Sequence, residues 1–306
     1  MSAQDTSKIQ RLVLGQLVLY LTVWLLGIYI NGFEPSLIEI EGSSIPLFLN
    51  PLVITHFVFA AATTTVGIIL LSLGWIYTLK KFVLLTGLSL ASIAIAATGG
   101  LSFVFAIGNQ KYDSMLMAAS FITAVYLSFL STLYSGLRKT PFKSGTRVLR
   151  SLAFAVLAMF YLVFLSGMYV NLFIASSVFS EPPAVARQML AGMVASFPAL
   201  FHETSGILLL ALAITLAVSL YRAHFTKLAI RGLICSLLVT YSLLEGVLVN
   251  ILPIFEPLTT PETTSFYFIT SVISPMLSAA GFLVAILIAM NVAQWLWKIS
   301  PPAQRI

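Results

Sequence analysis

The chain has 306 residues, of which 59% are hydrophobic and 8% are charged. A soluble domain is roughly 45–50% apolar and about 25% charged, so globular and disordered classes are excluded. The net charge is +6, but the basic residues are scattered through short loops rather than gathered on one face, which argues against nucleic-acid binding. A multi-pass membrane protein remains.

A helix needs about 20 apolar residues to cross ~30 Å of hydrocarbon. Charges bound eight such runs. The first four lie between Arg11 and Glu34, Glu41 and Lys80, Lys81 and Lys111, and Asp113 and Arg138. The fifth lies between Arg150 and Glu181, the sixth between Arg187 and Arg222 with Glu203 inside it. The seventh lies between Arg231 and Glu256 with Glu245 inside it, and the eighth between Glu262 and Lys298. With the N-terminus in the cytoplasm, only Lys111 and Arg187 of the 16 basic residues face outward. The positive-inside rule then places both termini in the cytoplasm of a cell-membrane protein. The loop acids Glu34, Glu39, Glu41, Asp113, Glu181, Glu256 and Glu262 fall outside. The run 12–30 lacks a small-residue cleavage site and is expected to be a retained span. The longest outer loop, about 31–50, has no room for a catalytic domain, so any chemistry belongs within or at the rim of the bundle.

The single cysteine, Cys235, rules out an intrachain disulfide, a cysteine zinc site and a CxxCH heme attachment. It reads as a small apolar residue.

The two halves resemble each other. Gly27-Ile28-Tyr29-Ile30-Asn31-Gly32-Phe33 and Gly167-Met168-Tyr169-Val170-Asn171-Leu172-Phe173 share G-x-Y-x-N-x-F at the ends of helices 1 and 5. His56 opens helix 2 and His202 opens helix 6. Gly87-Leu88 matches Gly232-Leu233. Met115-Leu116-Met117-Ala118-Ala119-Ser120-Phe121 matches Met276-Leu277-Ser278-Ala279-Ala280-Gly281-Phe282 as M-L-x-A-A-x-F. The expected fold is therefore all-α, with eight transmembrane helices in two tandem four-helix bundles, 1–140 and 141–306. Each half crosses an even number of times, so the copies are parallel repeats.

Of the three histidines, His224 sits in a basic loop. His56 and His202 lie at membrane depth, where an ionisable side chain is by default functional. At about 1.5 Å per residue, both are near the outer margin. A b-type heme needs one or two axial ligands, small residues beside them and an apolar wall. Ala60, Ala61, Ala62 and Gly67 follow His56, and Thr204, Ser205 and Gly206 follow His202. The fourth helices offer Met115 and Met276 at the same depth as second ligands, with Met117 a further candidate. The alternative is a pair of interfacial histidines bonded to carbonyls or water. Glu203 and Glu245 are candidates for proton transfer beside a quinol or a heme propionate, or for capping and pairing with Arg187. Tyr29 and Tyr169, with Asn31 and Asn171, are expected to end helices 1 and 5 as interfacial anchors.

Tandem four-helix bundles with a histidine at the outer start of each second helix resemble the heme A synthase family. That family carries histidines on the second and fourth helices of each half, a glutamate before the first-half histidine and often an outer-loop cysteine pair. Here Met115 and Met276 occupy the fourth-helix positions. Asn50-Pro51-Leu52-Val53-Ile54-Thr55, before His56, contains no acid, and the cysteine pair is absent. In length, hydropathy and span count the chain also resembles the hydrophobic B subunit that accompanies a glycosylated b-type cytochrome in thermoacidophilic archaea. That resemblance implies a non-catalytic subunit of a respiratory electron-transfer complex. It would hold one or two hemes b or shape a quinone site, and support an extracytoplasmic cytochrome and other respiratory subunits. The heme A synthase resemblance implies instead a heme-modifying oxygenase. A third expectation is a hemeless membrane anchor. A transporter is disfavoured, because no span shows a mid-membrane break.

Overall fold

The computed structural model describes residues 3–38, 50–105, 109–134, 140–141, 146–175, 189, 192, 195–255 and 274–300. The first four helices are α1 (Ala3–Ile38), α2 (Pro51–Ile76), α3 (Lys80–Val104) and α4 (Gln110–Thr132). Then come α5 (Thr146–Tyr169), a π-helical turn (Val170–Ala175), α6 (Phe197–Arg222), α7 (Thr226–Phe255) and α8 (Ser274–Lys298). Apart from one two-residue parallel pairing, Thr140–Pro141 with Ile299–Ser300, the described elements are helical. Eight of them carry segments long and apolar enough to cross a membrane. The chain forms two compact units, Met1–Phe142 with Trp297–Pro302, and Lys143–Leu296.

Local chemistry accounts for these helices. Asn50 caps α2 by accepting from the Leu52 amide at 2.9 Å, with Pro51 in the first turn, where its missing N–H costs nothing. Asn109 caps α4 in the same way through the Lys111 amide. In hydrocarbon every polar group must find a partner internally. Accordingly Thr55, Thr63, Thr64, Thr65 and Ser72 each return their hydroxyl proton to the carbonyl four residues back along α2.

The α2–α3 and α6–α7 connections are built alike. Thr78 and His224 both adopt positive φ, 55° and 62°. The amides of Thr78 and Leu79 bond the carbonyls of Trp75 and Gly74, and those of His224 and Phe225 bond the carbonyls of Tyr221 and Leu220. The 146-residue offset that relates these turns also relates the buried faces. On α2, Val53, Thr63, Gly67, Leu70 and Gly74 are buried. The same offset leads to Ala199, Leu209, Ala213, Leu216 and Leu220 of α6, all buried.

The other helices follow suit. Ile9, Val13, Gln16, Tyr20 and Val23 of α1 correspond, 140 positions later, to buried Leu149, Ala153, Val156, Phe160 and Val163 of α5. Ile122, Ala124, Val125, Ser128, Phe129, Ser131 and Thr132 of α4 correspond, 161 positions later, to buried Leu283, Ala285, Ile286, Ala289, Met290, Val292 and Ala293 of α8.

Contacts correspond as well as burial. Tyr20 and Phe121 meet edge-to-face with centroids 5.4 Å apart, and Phe160 and Phe282 do so at 5.1 Å. Ser89 donates to the Ala124 carbonyl at 2.8 Å, and Cys235 donates its thiol proton to the Ala285 carbonyl at 3.5 Å. One feature differs. In the first unit Ser128 donates to Gln16 Oε1 at 2.7 Å, and Gln16 Nε2 reaches the Thr63 carbonyl at 3.5 Å, tying three helices together. The corresponding residues of the second unit, Val156, Ala289 and Leu209, are apolar and buried.

Two sequence expectations need correction. Asn31 does not end the first helix, because α1 continues as helix to Ile38. Asn171 lies within a π-helical turn that prolongs α5 past Tyr169. Neither asparagine is followed by the left-handed glycine stop that ends many helices. Separately, the offset that aligns the buried faces of α3 and α7 brings Gly232 to the place of buried Thr86, one residue from Gly87.

Candidate functional site: two imidazoles seated on glycines

His56 lies one turn after Val53 on the buried stripe of α2, and His202 one turn after Ala199 on that of α6. Gly27 extends the stripe of α1 beyond Val23, and Gly167 extends that of α5 beyond Val163. These four residues meet in two matching pairs. A Cβ placed on Gly27 would stand 3.3 Å from His56 Cε1. One placed on Gly167 would stand 2.8 Å from His202 Cε1, 3.3 Å from Nε2 and 3.4 Å from Nδ1. Each ring therefore lies against a bare Cα of the preceding helix. The backbone carbonyls of Val23 and Val163, one turn earlier, face the two rings.

The pockets differ at one position. In the second unit the Ser166 hydroxyl lies 2.9 Å from His202 Nδ1 and donates to the Val163 carbonyl at 3.1 Å. A serine hydroxyl has one proton. With that proton on the carbonyl, its oxygen accepts from Nδ1–H, which leaves the Nε2 lone pair free. In the first unit the corresponding residue is Leu26, and the buried His56 Nδ1 has no hydrogen-bond partner.

Met115, half-buried, lies two turns before Ile122 on the buried stripe of α4. Met117 turns toward α3, with its sulfur 3.3 Å from where a Gly100 Cβ would stand. Each imidazole has the first-helix glycine among its neighbours. Met276 is on α8, but its side chain lies outside the described residues, as do Arg187, Glu39, Glu41, Glu181, Glu256 and Glu262. Tyr29 and Tyr169 are 41% and 46% exposed, as lipid-interface anchors would be. His224 is exposed at its turn. Glu203 is half-buried beside His202, and Glu245 is 8% exposed on α7, where its carboxyl faces the Ser278 hydroxyl of α8.

Sequence reasoning singled out the histidines but missed the roles of Gly27, Gly167 and Ser166. The glycine that opens each G-x-Y-x-N-x-F motif was the available signal. Among the described residues no group of three or more His, Cys, Asp or Glu could hold a metal ion. A heme iron needs only an axial imidazole or two, and each unit offers one. Two surface grooves lie elsewhere. One, of about 330 Å³, is lined by Leu71, Ser72, Trp75 and Ile76. The other, of about 510 Å³, is bordered by Arg11, Leu14, Gly15, Val18 and Val66. Comparison with protein-family models, curated proteins and solved structures finds no match to this chain.

Proposed function

We propose that the chain is an integral membrane subunit of a respiratory electron-transfer complex, built by duplication of a four-helix unit, with one redox-supporting histidine per unit near the extracytoplasmic face. The observation that carries this reading is the corresponding seat of the two imidazoles, each against a first-helix glycine of its unit. Duplication accounts for shared buried stripes, turns and aromatic pairs in sequences that otherwise differ. Ionisable rings at the corresponding position of both units point to a function held in common.

In this reading His56 and His202 would hold b-type heme or hydrogen-bond a quinol, and heme would supply one-electron transfer. The chain's own part is to place the rings. Gly27 and Gly167 admit them, and Ser166 orients His202 as outer-shell partners of ligating histidines do. Met115 and Met276 are candidates for the second ligand. An extracytoplasmic cytochrome would dock over this end of the bundle, with the termini in the cytoplasm.

A hemeless anchor is the second reading. It is favoured by the Ser166 bond, which gives His202 Nδ1 a partner without a cofactor. A pyridine hemochrome and a reduced-minus-oxidised spectrum of the purified chain separate the two. A b-type signal, lowered by His56→Ala and by His202→Ala, supports the redox subunit. A colourless chain supports the anchor. Conversion of heme O to heme A would favour the oxygenase instead.

A further inference from the structure

The second unit carries a buried carboxyl at a position that is a glycine in the first. Glu245 on α7 is 8% exposed, and its Oε1 has no hydrogen-bond partner. The carboxyl faces the Ser278 hydroxyl, and one turn earlier Ser242 donates to the Ser278 carbonyl at 3.2 Å. The α7–α8 seam is therefore polar at this level. The 146-residue offset places Gly99 of α3 at the corresponding point of the first unit. There a Cβ would stand 2.9 Å from the Asp113 carbonyl and 3.1 Å from the Met117 amide nitrogen. The first unit closes this seam backbone to backbone, whereas the second opens it and inserts an acid.

Among the described residues no cation stands near that acid. On α7 the basic residues are Lys227 and Arg231, and Arg231 is bonded to Asn291 of α8. Arg231 is 14 residues from Glu245, about 21 Å along the helix. On α8 the only charged residue is Lys298, at the far end. On α6 the titratable groups toward this end are His202 and Glu203, while Arg222 closes the opposite end and His224 lies in the turn beyond it. A lone carboxylate without a counter-charge is expensive at membrane depth. A proton neutralises it without requiring a metal-sized cavity.

We propose that Glu245 is a reversible proton-binding site particular to the second unit, taking and releasing a proton through its unpartnered Oε1. This deepens the redox reading, since a quinol-facing or heme-facing subunit needs a proton acceptor in the membrane. It is also measurable without any heme.

The test is infrared spectroscopy of the full chain in lipid vesicles, before and after transfer to D2O. The expected result is a protonated-carboxyl C=O band that shifts in D2O, disappears in Glu245→Gln and survives in Glu203→Gln. In Glu245→Asp, which keeps a carboxyl if the glutamine variant fails to fold, the band should remain at a moved frequency. Absence of the band from the native chain, its persistence in Glu245→Gln, or its failure to shift in D2O would each overturn the proposal. A heme-free chain that gives the band keeps the proton site and loses the electron-transfer reading, and a heme-bearing chain without it does the reverse.

Discussion

His202 lies so close to Gly167 that one added methyl would overlap its ring, since a Cβ there would stand 2.8 Å from Cε1. The separation between Gly27 and His56 is 3.3 Å, which a small shift of the ring relieves. Overpacking a close contact costs about 1–3 kcal/mol. Gly167→Ala should therefore lower the thermal unfolding midpoint in detergent by more than Gly27→Ala does. Equal losses would mean that both rings swing aside, and the seats would not be rigid.

The Ser166 bond makes the histidines unequal. If both bind heme, Ser166→Ala should shift the reduction potential of one centre and leave the other unchanged, while Ser166→Thr restores it. A redox titration of the purified chain reads both centres. Movement of both together would mean that Ser166 acts on the bundle as a whole rather than on His202.

Gln16 and Ser128 form a buried pair that the second unit replaces with Val156 and Ala289. A buried polar group stripped of its partner costs about 1–3 kcal/mol. Gln16→Val alone strands the Ser128 hydroxyl and should be destabilising. The double change Gln16→Val with Ser128→Ala reproduces the apolar arrangement and should recover most of the loss. A double-mutant cycle measures the coupling, and additive losses would show that the pair is not a unit.

Cys235 occupies the place that Ser89 holds in the first unit, with the corresponding carbonyl as partner. Cys235→Ser should keep that hydrogen bond and change stability by less than about 1 kcal/mol. Burial pushes the Cys235 side chain out of reach of solvent, so maleimide should label it only after unfolding. Rapid labelling of the folded chain would contradict its burial.

Orientation is tested by accessibility. In a Cys235→Ser background, a cysteine at Lys111 should react with an impermeant maleimide from outside intact cells, and one at Lys80 should react only after lysis. The reverse pattern would invert the whole topology.

The eight spans were legible because charges are rare and evenly spaced, and hydrocarbon tolerates few of them. The M-L-x-A-A-x-F match placed Met115 against Met276, and the same 161-residue offset aligns the buried faces of α4 and α8. Apolar periodicity shows which face of a helix turns inward, and that face includes both His56 and Gly27. The matched Gly87 and Gly232 were one residue out of register, because a shared dipeptide in apolar sequence carries little positional information. Asn31 resembled a helix end but continues as helix, because a polar residue alone does not supply a stop.

From the sequence alone come the membrane class, the span number and the presence of one histidine at the start of the second span of each half, since these depend on composition and spacing along the chain. What lies opposite each ring depends on how helices distant in sequence cross, and only the tertiary structure decides that. It set bare glycines against the imidazoles, gave Ser166 to Nδ1 of one of them and left Nδ1 of the other without a partner. It also opened the α7–α8 seam around Glu245, because helix crossings there leave room for a carboxyl where α3 and α4 touch through their backbones.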